Sequence, residues 1–422
     1  MDWKDLSTSN NIRIIYKKIP QFHSVSAGIF IKAGSRFETK DISGISHFIE
    51  HLLFKGTKKR SCNRIKEEIE GVGGTFNGFT SEEMTCYWIK ILKDYFDLSI
   101  DVLSDMIQNP LMKKEDIEKE RMVIIEEINM YRDIPAKYVF EVFDQQLFSN
   151  HSLGQPIAGT TESVKGITRK NIQDYMKNFY TAKNIVVSIT GNVSEEQVVE
   201  TAEKYLSSVI EKKENVFMKW DRLPSGPEIK NIHKKTEQTH IAMGGIGLSR
   251  FDKKRHAFMV LDVILGGNMS SRLFNRIREE MSLAYAIKSM TGCYNDTGAY
   301  IIYAGVSPDN TEKCISAVVD EIRKIKDAGV TESELDRAKK FISSQFLMRL
   351  EDNLEYMLWL GEQKLMKNFA VRKNEILGKI NAVSRKDIKS LAEEIYKPSN
   401  FYVSLIGPRA DEPAILKAAS KL

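Results

Sequence analysis

The chain lacks most of what would place it in a membrane or an oxidising compartment. Its 422 residues include only four cysteines, Cys62, Cys86, Cys293 and Cys314, with no paired spacing. This argues against a disulfide framework and for a reducing compartment. No apolar run approaches the roughly 18 residues that a membrane-spanning helix needs, so no membrane partner is expected. The N-terminus, Met1-Asp-Trp-Lys-Asp, has no apolar core of a signal peptide and is not an arginine-rich transit segment. A cytoplasmic location is the expectation. Excess charge of one sign is missing too, with 62 Lys+Arg against 57 Asp+Glu. The short Lys58-Lys-Arg60 cluster has no interleaved aromatics and reads as a solvated turn, so nucleic acid is not an expected partner. What the chain does have is 42% hydrophobic residues, enough for sizeable cores, and a length that suggests two domains.

Histidine is scarce, at 7 residues, yet two fall in one pentapeptide, His47-Phe-Ile-Glu-His51. Residues at i and i+4 of a helix lie on one face, so His47 and His51 can hold one metal ion from a single turn. Glu50 lies near the same face, within reach of a water at the ion. The order H-x-x-E-H inverts the common zincin motif and is a metallopeptidase signature. By chance it would arise in on the order of one such chain in a hundred. The competing reading is an ordinary amphipathic helix with two satisfied histidines.

Such a site needs a third protein ligand and an open position for water. Apolar residues at helical spacing predict a helix from about Lys113 to Met130. Within it Glu120 and Glu127 are seven residues apart, two turns along one face, with Glu126 off that face. Carboxylates on an apolar stretch are costly to bury unless paired or bound to a metal. Spacing alone leaves open whether Glu127 is a ligand or part of a solvated acidic face.

Gly44-Ile-Ser-His-Phe-Ile-Glu-His-Leu-Leu-Phe-Lys-Gly-Thr57, followed by Glu120-Arg-x-Val-Ile-x-x-Glu127, resembles the pitrilysin-type (M16) zinc metallopeptidases. The closer likeness is to the branch containing mitochondrial processing peptidase and short bacterial relatives. His151-Ser-Leu-Gly-Gln-Pro156 and Phe179 to Val193 also resemble family segments. The resemblance implies that His47, His51 and Glu127 bind Zn2+, that Glu50 is the general base, and that Glu120 supports the site as a further catalytic carboxylate. His/His/Glu ligation suits zinc, and manganese or cobalt can replace it in vitro.

Gly73-Gly-Thr-Phe-Asn-Gly-Phe-Thr80 lacks the spacing of a phosphate loop. It reads either as a turn into the strand Met84 to Ile91 or, as the resemblance implies, as an edge strand that binds a peptide backbone, with Asn77 hydrogen-bonding the substrate. An exposed edge can accept a peptide as an added strand.

The chain also repeats itself. Asn63-Arg-Ile-Lys-Glu-Glu68 recurs as Asn275-Arg-Ile-Arg-Glu-Glu280, and Arg169-Lys-Asn-Ile172 recurs as Arg385-Lys-Asp-Ile388. Phe179-Tyr-x-x-x-Asn-x-x-Val-Ser-x-x-Gly191 recurs as Ile395-Tyr-x-x-x-Asn-x-x-Val-Ser-x-x-Gly407. Three echoes in one order indicate a duplicated unit. The expected organisation is α+β, with two homologous domains, each a mainly antiparallel sheet packed with helices. The boundaries are 1–212 for a metal-binding catalytic domain, 213–236 for a linker rich in Lys and Glu, and 237–422 for a homologous domain without metal ligands. The second half has no H-x-x-E-H, and the register opposite Glu127 falls near Gln345.

Residues 266 to 285 resemble the family segment carrying an arginine–tyrosine pair, here Arg278 and Tyr285. The resemblance implies that they bind substrate and help stabilise the oxyanion. Guanidinium and phenol are suitable donors to a charging carbonyl oxygen. Without the resemblance they read as a surface arginine and a half-buried tyrosine. The long members of the resembled family carry the metal in one fused unit and the arginine–tyrosine pair in another, and this chain carries both sets, so the resemblance implies a homodimer whose active site is completed by the partner chain, in the common two-fold arrangement.

The function expected from these residues is a zinc-dependent endopeptidase acting on unfolded peptides. Two other classes stand beside it. One is a non-catalytic scaffold or peptide-binding subunit of a heteromeric complex. The other is a peptide-binding module with a structural metal, which usually has four ligands, often cysteines.

Overall fold

Strands rich in apolar residues build two sheets whose central strands are buried on both faces and whose edge strands are partly exposed. The computed structural model describes residues 3–408 and 410–422. Its strands are β1 (Lys4–Ser7), β2 (Arg13–Lys18), β3 (Ser24–Ile31), β4 (Thr75–Thr80), β5 (Thr85–Leu92) and β6 (Ile185–Gly191), then β7 (Glu228–His233), β8 (Thr239–Gly247), β9 (Ala284–Cys293), β10 (Gly298–Val306) and β11 (Tyr402–Gly407). The first six form one sheet in the order β1-β2-β6-β3-β5-β4, and the other five form a second in the order β7-β11-β8-β10-β9. Pairing is antiparallel except for β2 with β6 and β11 with β7.

The two sheets have one topology. β2, β6, β3, β5 and β4 of the first match β7, β11, β8, β10 and β9 of the second, including the one parallel pair in each. The sequence echoes land on matching elements. Thr168 and Ser384 each close a capping box at the start of the helices Arg169–Phe179 and Arg385–Ile395. Asn184 and Asn400 are both buried, and each amide nitrogen bonds the turn before its strand: Asn184 Nδ2 donates to Thr181 Oγ1, and Asn400 Nδ2 to the carbonyl of Ile395. The fold is therefore α+β with two homologous parts.

By contacts the chain divides into two compact units. The first comprises Met1–Asn129, Gln155–Met218 and Leu347–Arg372, and the second Met130–Gly154, Lys219–Phe346 and Lys373–Leu422. Each unit thus takes one helix from the other half of the sequence. Within 213–236, residues Glu228–His233 form β7, whose charged, partly exposed pattern is that of an edge strand.

In the first unit Val25, Ala27, Ile29 and Ile31 of β3 face a core shared with the helices Ile45–Leu53 and Phe96–Gln108. Phe30 of β3, Cys86 of β5 and Val186 of β6 face the other way, onto Tyr356, Met357 and Leu360 of the helix Asn353–Lys367. Close approach there requires glycine: a Cβ at Gly361 would lie 2.1 Å from the Phe30 ring. In the second unit Ile241 and Met243 of β8 and Val403 and Leu405 of β11 face one core. Ala242, Tyr402 and Ile406 face Val139, Val142 and Phe143 of the helix Pro135–Leu147. Among the described residues no helix is long and apolar enough to cross a membrane.

Candidate metal and peptide site

The helix Ile45–Leu53 begins at Gly44, whose φ of 92° is a left-handed value that suits glycine. A side chain there would meet the carbonyl oxygen of Ala158 at 2.5 Å. The buried carboxylate of Glu38 caps the helix, accepting from the backbone N–H of Gly44 at 2.6 Å and of Ser46 at 2.9 Å. Burial pushes the Glu38 carboxyl up to about 7, against these hydrogen bonds. Ile45, Phe48, Ile49, Leu52 and Leu53 face the core. His47, Glu50 and His51 are left half-buried on the opposite side.

The helix Lys114–Asp133 brings the carboxylates to them. Glu127 Oε2 lies 3.8 Å from His47 Nε2 and 3.6 Å from His51 Nε2. One ligand atom from each of the three lies within 4.8 Å of the others. A tetrahedral zinc ion about 2.1 Å from each donor would hold them roughly 3.4 Å apart, so the set fits the ion after small adjustments. Two imidazoles and one carboxylate also leave a fourth position for water. Burial, and then the neighbouring His51, push the His47 imidazole down to about 4, so it is neutral near pH 7 and its lone pair is available.

Glu120 sits behind His51. Its Oε2 lies 3.1 Å from His51 Nδ1, and its Oε1 accepts from Lys55 Nζ at 2.6 Å. Burial opposes its ionisation, but the His51 and Lys55 hydrogen bonds and the Lys55 charge outweigh burial and hold the carboxyl below its usual range. An ionised Glu120 accepts the Nδ1 proton and leaves Nε2 of His51 facing Glu127. Among the described residues His47 has no such partner: its Nδ1 is buried without a hydrogen bond. Its ring instead packs edge-on against His51, with centroids 4.6 Å apart.

Glu50 projects towards β4. Its Oε2 accepts a 2.5 Å hydrogen bond from the Thr80 hydroxyl, and a Cβ at Gly78 would lie 3.2 Å from its Cγ. Burial raises the Glu50 carboxyl, and the Thr80 bond offsets part of that. β4 is an edge strand, paired only with β5. Because successive side chains alternate, Gly78 and Thr80 face Glu50 while Asn77 lies on the other pleat. Asn77 is exposed, and its Oδ1 accepts from the N–H of Gly78 at 2.9 Å.

Arg278 and Tyr285 belong to the second unit. They are brought together there: the guanidinium lies 5.1 Å from the Tyr285 ring and 4.7 Å from that of Phe274. Tyr285 is the second residue of the edge strand β9 and is 78% exposed, more than the half-buried side chain expected. Lys55 and Thr80 were not singled out by sequence reasoning. Lys55 is four residues beyond His51, so helical spacing could have flagged it. Nothing local marks Thr80, whose role depends on the pairing of β4 with β5.

Family models match both halves of the chain: "Insulinase (Peptidase family M16)" over residues 13–161 and "Peptidase M16 inactive domain" over residues 166–342. An uncharacterized zinc protease of Bacillus subtilis is 33% identical over 97% of this chain and 100% of its own length. One of Streptomyces coelicolor is 34% identical over 96% of this chain and 89% of its own. Among solved structures, a protease from Helicobacter pylori has the same fold, with a TM-score of 0.90 at 22% identity over 96% of this chain and 99% of that one. The inactive-domain description falls on the part of the chain where Met259 and Val263 stand on the helix Arg255–Leu265 and no H-x-x-E-H occurs. With relatives named as zinc proteases matching at this identity over almost its full length, the chain belongs to the M16 family of peptidases.

Proposed function

We propose that the chain is a zinc-dependent endopeptidase that hydrolyses unfolded peptides. The observation that carries this reading is the cluster of His47, His51 and Glu127, the one such group among the described residues, with a carboxylate, Glu50, on the same helical turn. When bound, the ion would supply Lewis acidity and a water of lowered pKa. Glu50 takes the proton of the attacking water and returns it to the leaving amine. Its burial raises its proton affinity towards that task, and Thr80 keeps it from rising further. Glu120 fixes the tautomer and direction of His51. An extended peptide would add to the free edge of β4, beside the base, with Asn77 meeting its backbone. Arg278 and Tyr285 would hold the substrate and donate to the carbonyl oxygen as charge develops on it.

The assembly proposed is a cytoplasmic homodimer of the processing-peptidase type, in which each metal cluster is completed by Arg278 and Tyr285 of the partner chain. Two sets of residues on one chain, and a Tyr285 ring left in solvent, support it. Mixing Glu50→Gln and Tyr285→Phe chains would then restore one working site per heterodimer; activity no higher than either mutant alone would remove the trans arrangement.

The experiment that tests the activity compares wild type with Glu50→Gln on a fluorogenic peptide of about 15–20 residues, both loaded with zinc. Cleavage by wild type alone supports the peptidase. If both chains hold zinc and neither cleaves, the chain serves as a peptide-binding or partner-dependent subunit.

A further inference from the structure

The strand that offers an edge to a peptide is also the strand that holds the base. Among the described residues, the bond from Thr80 Oγ1 is the hydrogen bond made by the Glu50 carboxylate, and at 2.5 Å it is short. Glu50 points away from its own helix's core contacts, so this bond sets the direction of its carboxylate. Thr80 itself is well held. Its backbone is in register with Thr85 of β5, and the Thr85 hydroxyl donates to the Ala33 carbonyl at 3.0 Å. Two residues earlier, Gly78 has no side chain to separate strand from base, and the position a Cβ would take is 3.2 Å from Glu50 Cγ. The strand therefore leaves room for Glu50 at Gly78 and donates to it at Thr80.

We propose that Thr80 is a positioning residue for the reaction. Its hydroxyl ties the Glu50 carboxylate to the edge strand that receives the substrate backbone, so the base is referenced to the peptide's register and not only to its own helix. A peptide added to β4 settles at main-chain positions fixed by the ladder of that strand. Glu50, held by the same strand, then keeps a constant distance to the bond that the ladder presents. Errors of an ångström in such placement cost about 100-fold in rate. The role is distinct from metal binding, because the Thr80 hydroxyl donates to Glu50 and not to a residue of the His47, His51 and Glu127 group.

This inference rests on the peptidase reading above, and the test separates the two. Thr80→Val keeps the size and β-branching of the side chain and removes the donor, while Thr80→Ser keeps the donor and removes a methyl group. Wild type, Glu50→Gln, Thr80→Val and Thr80→Ser are assayed for kcat and KM on one fluorogenic peptide, and each is titrated with zinc alone. The expected result is a 10- to 100-fold fall in kcat for Thr80→Val, with KM and zinc affinity each within about threefold of wild type, and recovery of most of the rate in Thr80→Ser. A Thr80→Val enzyme within twofold of wild type in kcat overturns the inference and leaves the peptidase reading standing. So does a loss shared equally by Thr80→Ser, or one accompanied by weaker zinc binding, since either marks a packing role. A wild-type chain that binds zinc and cleaves nothing overturns the peptidase reading, and this inference with it.

Discussion

The two repeats share a topology and differ in what they place on one helix. At the offset of 212 set by Asn63 and Asn275, His47, Glu50 and His51 correspond to Met259, Asp262 and Val263. The second helix therefore kept a carboxylate and lost both imidazoles. The surroundings of that carboxylate are alike in the two repeats. In the first, the hydroxyls of Tyr87 and Tyr180 meet at 3.0 Å, and the charge of Glu50 acts on both rings. In the second, Tyr300 and Tyr396 pack edge-on at 5.1 Å, and Asp262 acts on Tyr396. Burial pushes Asp262 up to about 6 and holds Glu50 up as well. A raised carboxyl beside tyrosines thus recurs in both repeats, whereas the cluster of two histidines and a glutamate belongs to one. What separates them is the imidazole pair and the opposing Glu127.

This comparison can be broken or sharpened by experiment. The largest effect is expected from Glu50→Gln, which should lower kcat by about 100- to 10,000-fold while zinc content is unchanged. Asp262→Asn, its counterpart, should leave peptide hydrolysis and zinc content as they were; a comparable loss in kcat would end the distinction between the repeats. Gly361→Ala should destabilise the first unit by about 1–3 kcal/mol, because its new methyl group enters the Phe30 ring, and thermal or urea unfolding reads this directly. Glu120→Gln should weaken zinc binding about 10- to 100-fold, measured by competition with a chelating dye. The smallest effect is a slope. Glu38 has its folded-state pKa raised from 4.5 to about 7, so the stability linked to it is present below the lower value and lost as pH rises through the upper one. Glu38→Gln should flatten the melting temperature over that window, and an unchanged slope would show that Glu38 does not titrate there.

Much of the site was legible because its logic is local. Two histidines four apart need only a helix to meet, and Glu120 and Glu127 need only two turns. β3 forms over Ser24–Ile31, where Val25, Ala27, Ile29 and Ile31 recur at the two-residue period of a strand with one apolar face. The helix predicted over Lys113 to Met130 forms over Lys114–Asp133, displaced at its C-terminal end because no glycine or proline stops it before Ile134-Pro135. Other features depend on pairing. That β4 is an edge, that Thr80 faces Glu50, and that Asn77 lies on the other pleat follow from the register with β5, which no short window reveals. The clearest such case is the exchange of helices. Pro135–Leu147 and Asn353–Lys367 have ordinary apolar faces, and periodicity shows that each is buried without showing on which sheet.

That exchange has a consequence for how the molecule is made. During synthesis the strands of the first sheet are all available once residue 191 has emerged, but the helix that covers Phe30, Val186 and Cys86 is not complete until residue 367. At about 5–20 residues per second, one face of that sheet waits on the order of ten to thirty seconds for its cover. A nascent chain in that interval carries an apolar surface that a holdase can bind, and a fragment ending in the segment between the repeats would carry it permanently.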